Sequence, residues 1–163
     1  MTQQLPHYDY VKAVVTAFIE ADLTPVNWWA EGGDENRYDP DSAACMLTAH
    51  LGWDSDTPGL HRSQRYGIGL LWEHPVETWL WGVHDERDFF RQDPQLLLAL
   101  PRWAAPEAVV TTVRELLAAS PVTTDGTQLW SGHAAAQEAV DEWARREAAE
   151  AAAVLDRINP EGQ

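Results

Sequence analysis

Cysteine occurs once in the 163 residues, at Cys45, which excludes an internal disulfide framework and a multi-thiolate zinc site and fits a reducing compartment. Basic charge is scarce: 11 lysines and arginines stand against 26 aspartates and glutamates, a formal net charge of −15. Residues 1–82 carry 12 acids and 4 bases (−8) and residues 83–163 carry 14 and 7 (−7), so no acidic tail accounts for the imbalance. A field of this sign repels phosphates and anionic lipid; no direct nucleic-acid or membrane contact is expected, and a basic protein partner is favoured. Long apolar runs are missing too. The densest cluster, Leu96 to Leu100, falls far short of the ~18 residues needed to cross a bilayer. Met1–Tyr10 lacks the basic stretch and apolar run of a secretory signal, so the expectation is a soluble, cytoplasmic protein. No glycine-rich phosphate loop is present, because Gly67 and Gly69 lie inside a strand pattern that no helix follows.

What remains is ordinary globular composition, 45% apolar and 23% charged, which argues against global disorder. A chain this long buries roughly 70% of its unfolded surface, enough for a core without staples. Tryptophan is the exception to the ordinary: nine are present.

Between Asp9 and Asp22, Val11, Val14, Val15, Phe18 and Ile19 recur at helical spacing, and Pro25 stops the pattern. Val26–Glu31 and Ala43–Leu51 read as strands, the second placing Ala43, Cys45, Leu47, Ala49 and Leu51 on one face. An acidic loop, Gly32–Ser42, joins them, and a turn-rich loop, Gly52–Arg65, follows. Over Gly67–His84 two alternating runs flank His74-Pro75-Val76-Glu77, a hairpin connection. The register that pairs Trp72 with Trp79, Leu70 with Trp81 and Ile68 with Val83 makes one face wholly apolar. The opposite face carries Leu71 against Leu80 and Gly69 against Gly82, with Gly67 near His84. A charged link, Asp85–Asp93, leads to a fifth strand at Leu96–Leu100.

Pro106 then opens a helix with the stripe Val109, Val110, Val113, Leu116 and Leu117, and Pro121 ends it. A last helix spans about His133 to Asn159, roughly 40 Å long, which matches the diameter of a compact chain of this size. Its stripe of Ala136, Val140, Trp143, Ala151, Val154 and Ile158 is interrupted by Glu147. The expectation is an N-terminal half packed on the body and a projecting C-terminal arm able to pair with a second copy, the alternative being a solvated alanine helix with no specific role. The fold class is therefore α+β: an N-terminal helix, an antiparallel sheet of four or five strands, then two helices, the last long, with the first two helices on one sheet face. Residues 1–120 form the α+β domain, 121–131 a linker and 132–160 the long helix.

Candidate sites are few. Trp28, Trp29, Trp72, Trp79, Trp81 and Trp143 form either an interaction surface or, as large apolar groups with an N–H to satisfy, the core. Gly67, Gly69 and Gly82, with His84 and Asp85, mark a place where another backbone, a closely packed helix or a ligand comes close, a candidate ligand shelf. Two faint calcium-loop patterns, Asp34–Asp41 and Asp54–Gly59, lack the central glycine and the closing glutamate respectively. A zinc site needs His50, His74 and His84 to converge without a motif, and Cys45 and His50 point to opposite faces of one strand. The charges at His84–Asp88 read as a solvated turn. No metal, cofactor or catalytic residue is expected.

The run Gly67-Ile68-Gly69-Leu70-Leu71-Trp72-Glu73, followed by Thr78-Trp79 and by a helix opening at Pro106, resembles a group of small uncharacterised actinobacterial proteins classed only as a domain of unknown function. The likeness covers roughly residues 8–119 and leaves the last helix outside. It implies a similar α+β domain and a bacterial origin, and carries over no catalytic residue. Three functions follow as expectations. The first is a non-catalytic protein-interaction or regulatory module; the alternatives are an acidic nucleic-acid-mimicking decoy of a basic protein, and a small-ligand binder or enzyme using the glycine-lined sheet face.

Overall fold

The structure, a computed structural model, describes residues 4–36, 38 and 45–160. Helix α1 (Tyr8–Glu20) is followed by strands β1 (Asn27–Glu35), β2 (Cys45–Trp53), β3 (Ile68–His74), β4 (Thr78–Val83) and β5 (Gln95–Pro101), then helices α2 (Pro106–Leu117) and α3 (His133–Ile158). The strands form one antiparallel sheet in the order β1-β2-β3-β4-β5. The expected α+β class and element order are what the chain adopts.

The register of the central hairpin is the expected one. Ile68 pairs with Val83, Gly69 with Gly82, Leu70 with Trp81 and Leu71 with Leu80. Because a strand alternates faces, the same choice puts Ile68, Leu70, Trp72 and Trp79 on one side, where all four are buried. Leu47, Ala49, Leu51 and Trp53 of β2 and Leu97 of β5 extend that side into a single core with α1 and α2. The indoles bring N–H groups into this core, and each of four finds an acceptor. Trp53 donates to the Leu23 carbonyl (3.0 Å), Trp72 to the Arg102 carbonyl (2.7 Å), Trp79 to the Tyr10 hydroxyl (3.2 Å) and Trp103 to Gln137 Oε1 (2.7 Å). Satisfied in this way, a buried indole keeps its full apolar contribution without a desolvation penalty.

Several boundaries differ from the sequence reading for local reasons. The buried stripe of α1 is Tyr10, Val11, Val14, Val15 and Phe18, while Ile19 is exposed. Tyr10 takes the extra position because its hydroxyl reaches the Ala104 carbonyl at 2.7 Å. Strand β1 runs through Gly32 and Gly33 to Glu35 instead of ending at Glu31, since the two glycines serve a bulge between Gly32 and Asp34 rather than a turn. Ala43, assigned to the start of β2, positions 37 and 39–42 of the acidic loop Gly32–Ser42, and with them half of the Asp34–Asp41 pattern, lie outside the described residues. Segment 121–131, read as a linker, is tied to the body: Trp130 N–H donates to the Trp103 carbonyl (2.8 Å), Ala105 N–H to the Gln128 carbonyl (2.9 Å), and Thr123 and Thr124 hydrogen-bond Glu115. Helix α3 buries Ala136, Val140 and Trp143 only, so its N-terminal half packs on the body and the remainder, with Val154, Leu155 and Ile158 exposed, does not.

Candidate functional site

Both helices α1 and α2 contribute to the core on one side of the sheet, which leaves the other side to whatever the strands and loops supply. That second side carries Trp29 from β1, His50 from β2, Gly69, Leu71 and Glu73 from β3, and Leu80 and Gly82 from β4, all set by the pairings Trp29 with His50, His50 with Leu71 and Leu71 with Leu80. The charged link after β4 does not simply lead away. Asp85 Oδ1 accepts from the N–H groups of Arg87 (2.8 Å) and Phe89 (3.2 Å), Asp85 N–H donates to the Phe89 carbonyl (2.8 Å), and Arg91 N–H donates to the Val83 carbonyl (2.8 Å). A turn held this tightly folds Phe90 back over the sheet.

Phe90 explains two of the three glycines. A Cβ on Gly82 would overlap the Phe90 ring, and one on Gly69 would come within 2.6 Å of His84 Nε2 and 2.9 Å of both His50 Nε2 and Phe90 Cε1. The anticipated shelf at Gly69 and Gly82 is therefore occupied by this chain's own Phe90, His84 and His50. Gly67 has a different reason: its φ is +97° and a Cβ would overlap the Trp53 carbonyl oxygen. Gly82 also touches a hollow of about 150 Å³ beside Trp81, room for a handful of waters at ~30 Å³ each.

The larger opening lies next to Phe90, a cleft of about 640 Å³. Leu71 and Leu80 form its apolar base, and Trp29, Tyr38, Phe89 and Phe90 give it aromatic walls. Trp29 is 44% exposed and Phe89 68% exposed, so these rings face the opening rather than the interior. Glu73, Asp88 and Asp93 supply carboxylates, and Glu73 Oε2 accepts a hydrogen bond of 2.6 Å from the Tyr38 hydroxyl. No family model, curated protein or solved structure matches this chain. The chemistry of the cleft rests on its own residues.

His50 lines the cleft, with His84 beside it. His50 stacks on Trp29 with ring centroids 4.2 Å apart and lies 5.9 Å from His84, while Phe90 sits 6.0 Å and 5.3 Å from the two rings. Burial, reinforced by the neighbouring His84, pushes His50 down to about 4. Burial lowers His84 as well, opposed by Asp88 and Asp85. Among the described residues His50 Nδ1 and His84 Nε2 are buried without a hydrogen-bond partner. His74 lies on the opposite side of β3, near His7 and Arg102, so it does not join them. Among the described residues no three His, Cys, Asp or Glu side chains gather to hold a metal ion.

The tryptophans separate by side. Trp72, Trp79 and Trp143 are buried, Trp28 and Trp81 are half-buried against the core, and Trp29 alone of the six faces out. As a group they do not form one interaction surface: alternation sends the hairpin indoles inward and Trp29 outward. Sequence reasoning missed Phe89, Phe90, Tyr38 and Glu73. One signal was present: a facing Gly69–Gly82 pair needs a large group above it, and Phe89-Phe90 is the only aromatic pair in the adjoining charged stretch.

Proposed function

We propose that this chain is a non-catalytic binding module of a bacterial cytoplasm and that its recognition surface is the side of the sheet facing away from the helices. The observation that carries the reading is the cleft of about 640 Å³ walled by outward-facing aromatic rings, within the volume range of small-ligand sites. Aromatic surface left open to solvent beside a filled core is the usual mark of recognition. Burial keeps His50 uncharged at neutral pH, so it adds no positive charge to this surface. Titration with a small-molecule fragment set, followed through the Trp29 indole N–H resonance, tests this. Ligands should perturb Trp29 and Phe90 together; a set whose every hit maps away from both defeats the reading.

The arm of α3 supports a second contact, a homodimer. Val154, Leu155 and Ile158 are exposed on a helix that has left the body, and Ile158 is 74% exposed. An amphipathic helix with its apolar stripe in water gains by pairing with a like helix. Sedimentation equilibrium should detect self-association that Leu155→Glu abolishes, and a purely monomeric chain at high concentration removes this reading.

A further inference from the structure

We infer that the cleft beside Phe90 takes an organic cation, an ammonium or guanidinium group carried on a flat or apolar body. The inference rests on the reading of the cleft as a binding site and names what fits it. An aromatic face presents the negative side of its quadrupole, and Trp29, Phe89 and Phe90 line the opening. Asp88 and Asp93 add carboxylates to the same lining, and no lysine or arginine is found there among the described residues. Of the other titratable groups in the lining, Tyr38 donates its hydroxyl hydrogen bond to Glu73, and His50 is uncharged at neutral pH and so does not oppose a cation. Over longer range the net charge of −15 concentrates cations and repels anions.

The competing ligand classes fare worse on the same residues. An anion meets Asp88 and Asp93 with no cationic side chain in the lining among the described residues to neutralise it. A wholly apolar ligand strips water from those carboxylates and offers no partner in return. A cation on an apolar body satisfies both parts of the lining at once.

The test compares phenethylammonium with its neutral counterpart 2-phenylethanol and with phenylacetate, read by Trp29 fluorescence and the indole N–H resonance, with N-acetyl-arginine amide as a fourth probe. Phenethylammonium should bind at least tenfold more tightly than the alcohol, and phenylacetate more weakly than either. Asp88→Asn combined with Asp93→Asn should lower affinity for the cation about tenfold and leave the alcohol unchanged. Asn tolerates the left-handed backbone at Asp88, whose φ is 63°, so the variant is expected to fold. Raising the salt concentration on the unaltered protein gives an independent check, since the preference for cation over alcohol should shrink. Tighter binding of the arginine derivative assigns the cation to a protein side chain, and tighter binding of phenethylammonium to a free amine; either result supports the inference. Equal affinity for the alcohol and the ammonium overturns it while leaving the cleft a binding site, and silence from all four probes overturns both.

Discussion

Lowering the pH from about 7 to about 5 should remove roughly 4 kcal/mol of folding stability, and two buried imidazoles set that figure. His7 is fully buried, stacks on Trp72 with centroids 5.0 Å apart, and through Nε2–H donates to the Thr48 carbonyl at 2.9 Å. Its Nδ1 has no partner among the described residues, so a second proton would sit in apolar surroundings with nothing to accept it. Burial accordingly pushes His7 down to about 4, with the Thr48 hydrogen bond opposing and His74 adding to the fall; His50 reaches about 4 by burial and the nearby His84. Both rings therefore bind protons less readily folded than unfolded, where the ordinary value is 6.5. Their contribution is complete above about pH 6.5 and is lost as pH falls toward about 4. Down to about pH 5 each loses ~1.5 units at ~1.4 kcal/mol per unit, about 2 kcal/mol. The sum is a large part of the ~5–15 kcal/mol total of a typical domain. Urea unfolding followed by tryptophan fluorescence at a series of pH values measures the slope. His7→Gln with His50→Gln should flatten it relative to the unaltered chain, a comparison in which the shared carboxylate titrations cancel. A stability that does not fall between about pH 7 and about pH 5, or an equal slope in the double variant, refutes the reasoning.

Further predictions concern the glycines, the folded-back loop and the arm. Gly67→Ala should cost several kcal/mol, because an overlap with the Trp53 carbonyl adds to the ~1–2 kcal/mol of a left-handed backbone. Gly33→Ala has a similar φ of 94° but nothing within 4 Å of its Cβ, and chemical denaturation should show only that smaller backbone loss. Gly82→Ala should displace Phe90 and cost about 1–3 kcal/mol, with ring-proton shifts of Phe90 in NMR as the direct readout. Ending the chain after Arg146 should change stability by less than about 0.5 kcal/mol, since the lost turns bury almost nothing, while removing any concentration-dependent association in the ultracentrifuge.

Residue patterning was enough to set the sheet. Alternation over Gly67–His84 admits one register that puts Ile68, Leu70, Trp72, Trp79 and Trp81 on a common side, because a one-residue slip would turn all of them to water. Helical spacing and Pro106 likewise placed α1 and α2, and the length of α3, with Glu147 interrupting its apolar stripe, foretold an arm. The cleft, by contrast, exists through contacts between elements distant in the chain. Phe89 and Phe90 sit in a charged stretch without periodicity, and their position follows from Asp85 capping its own turn and from the bare strip that Gly69 and Gly82 leave. Trp29 meets His50, and Tyr38 meets Glu73, across strands and loops remote in sequence. Periodicity reports which side of an element a residue faces; it does not report what a loop lays over that side, and the cleft is made there.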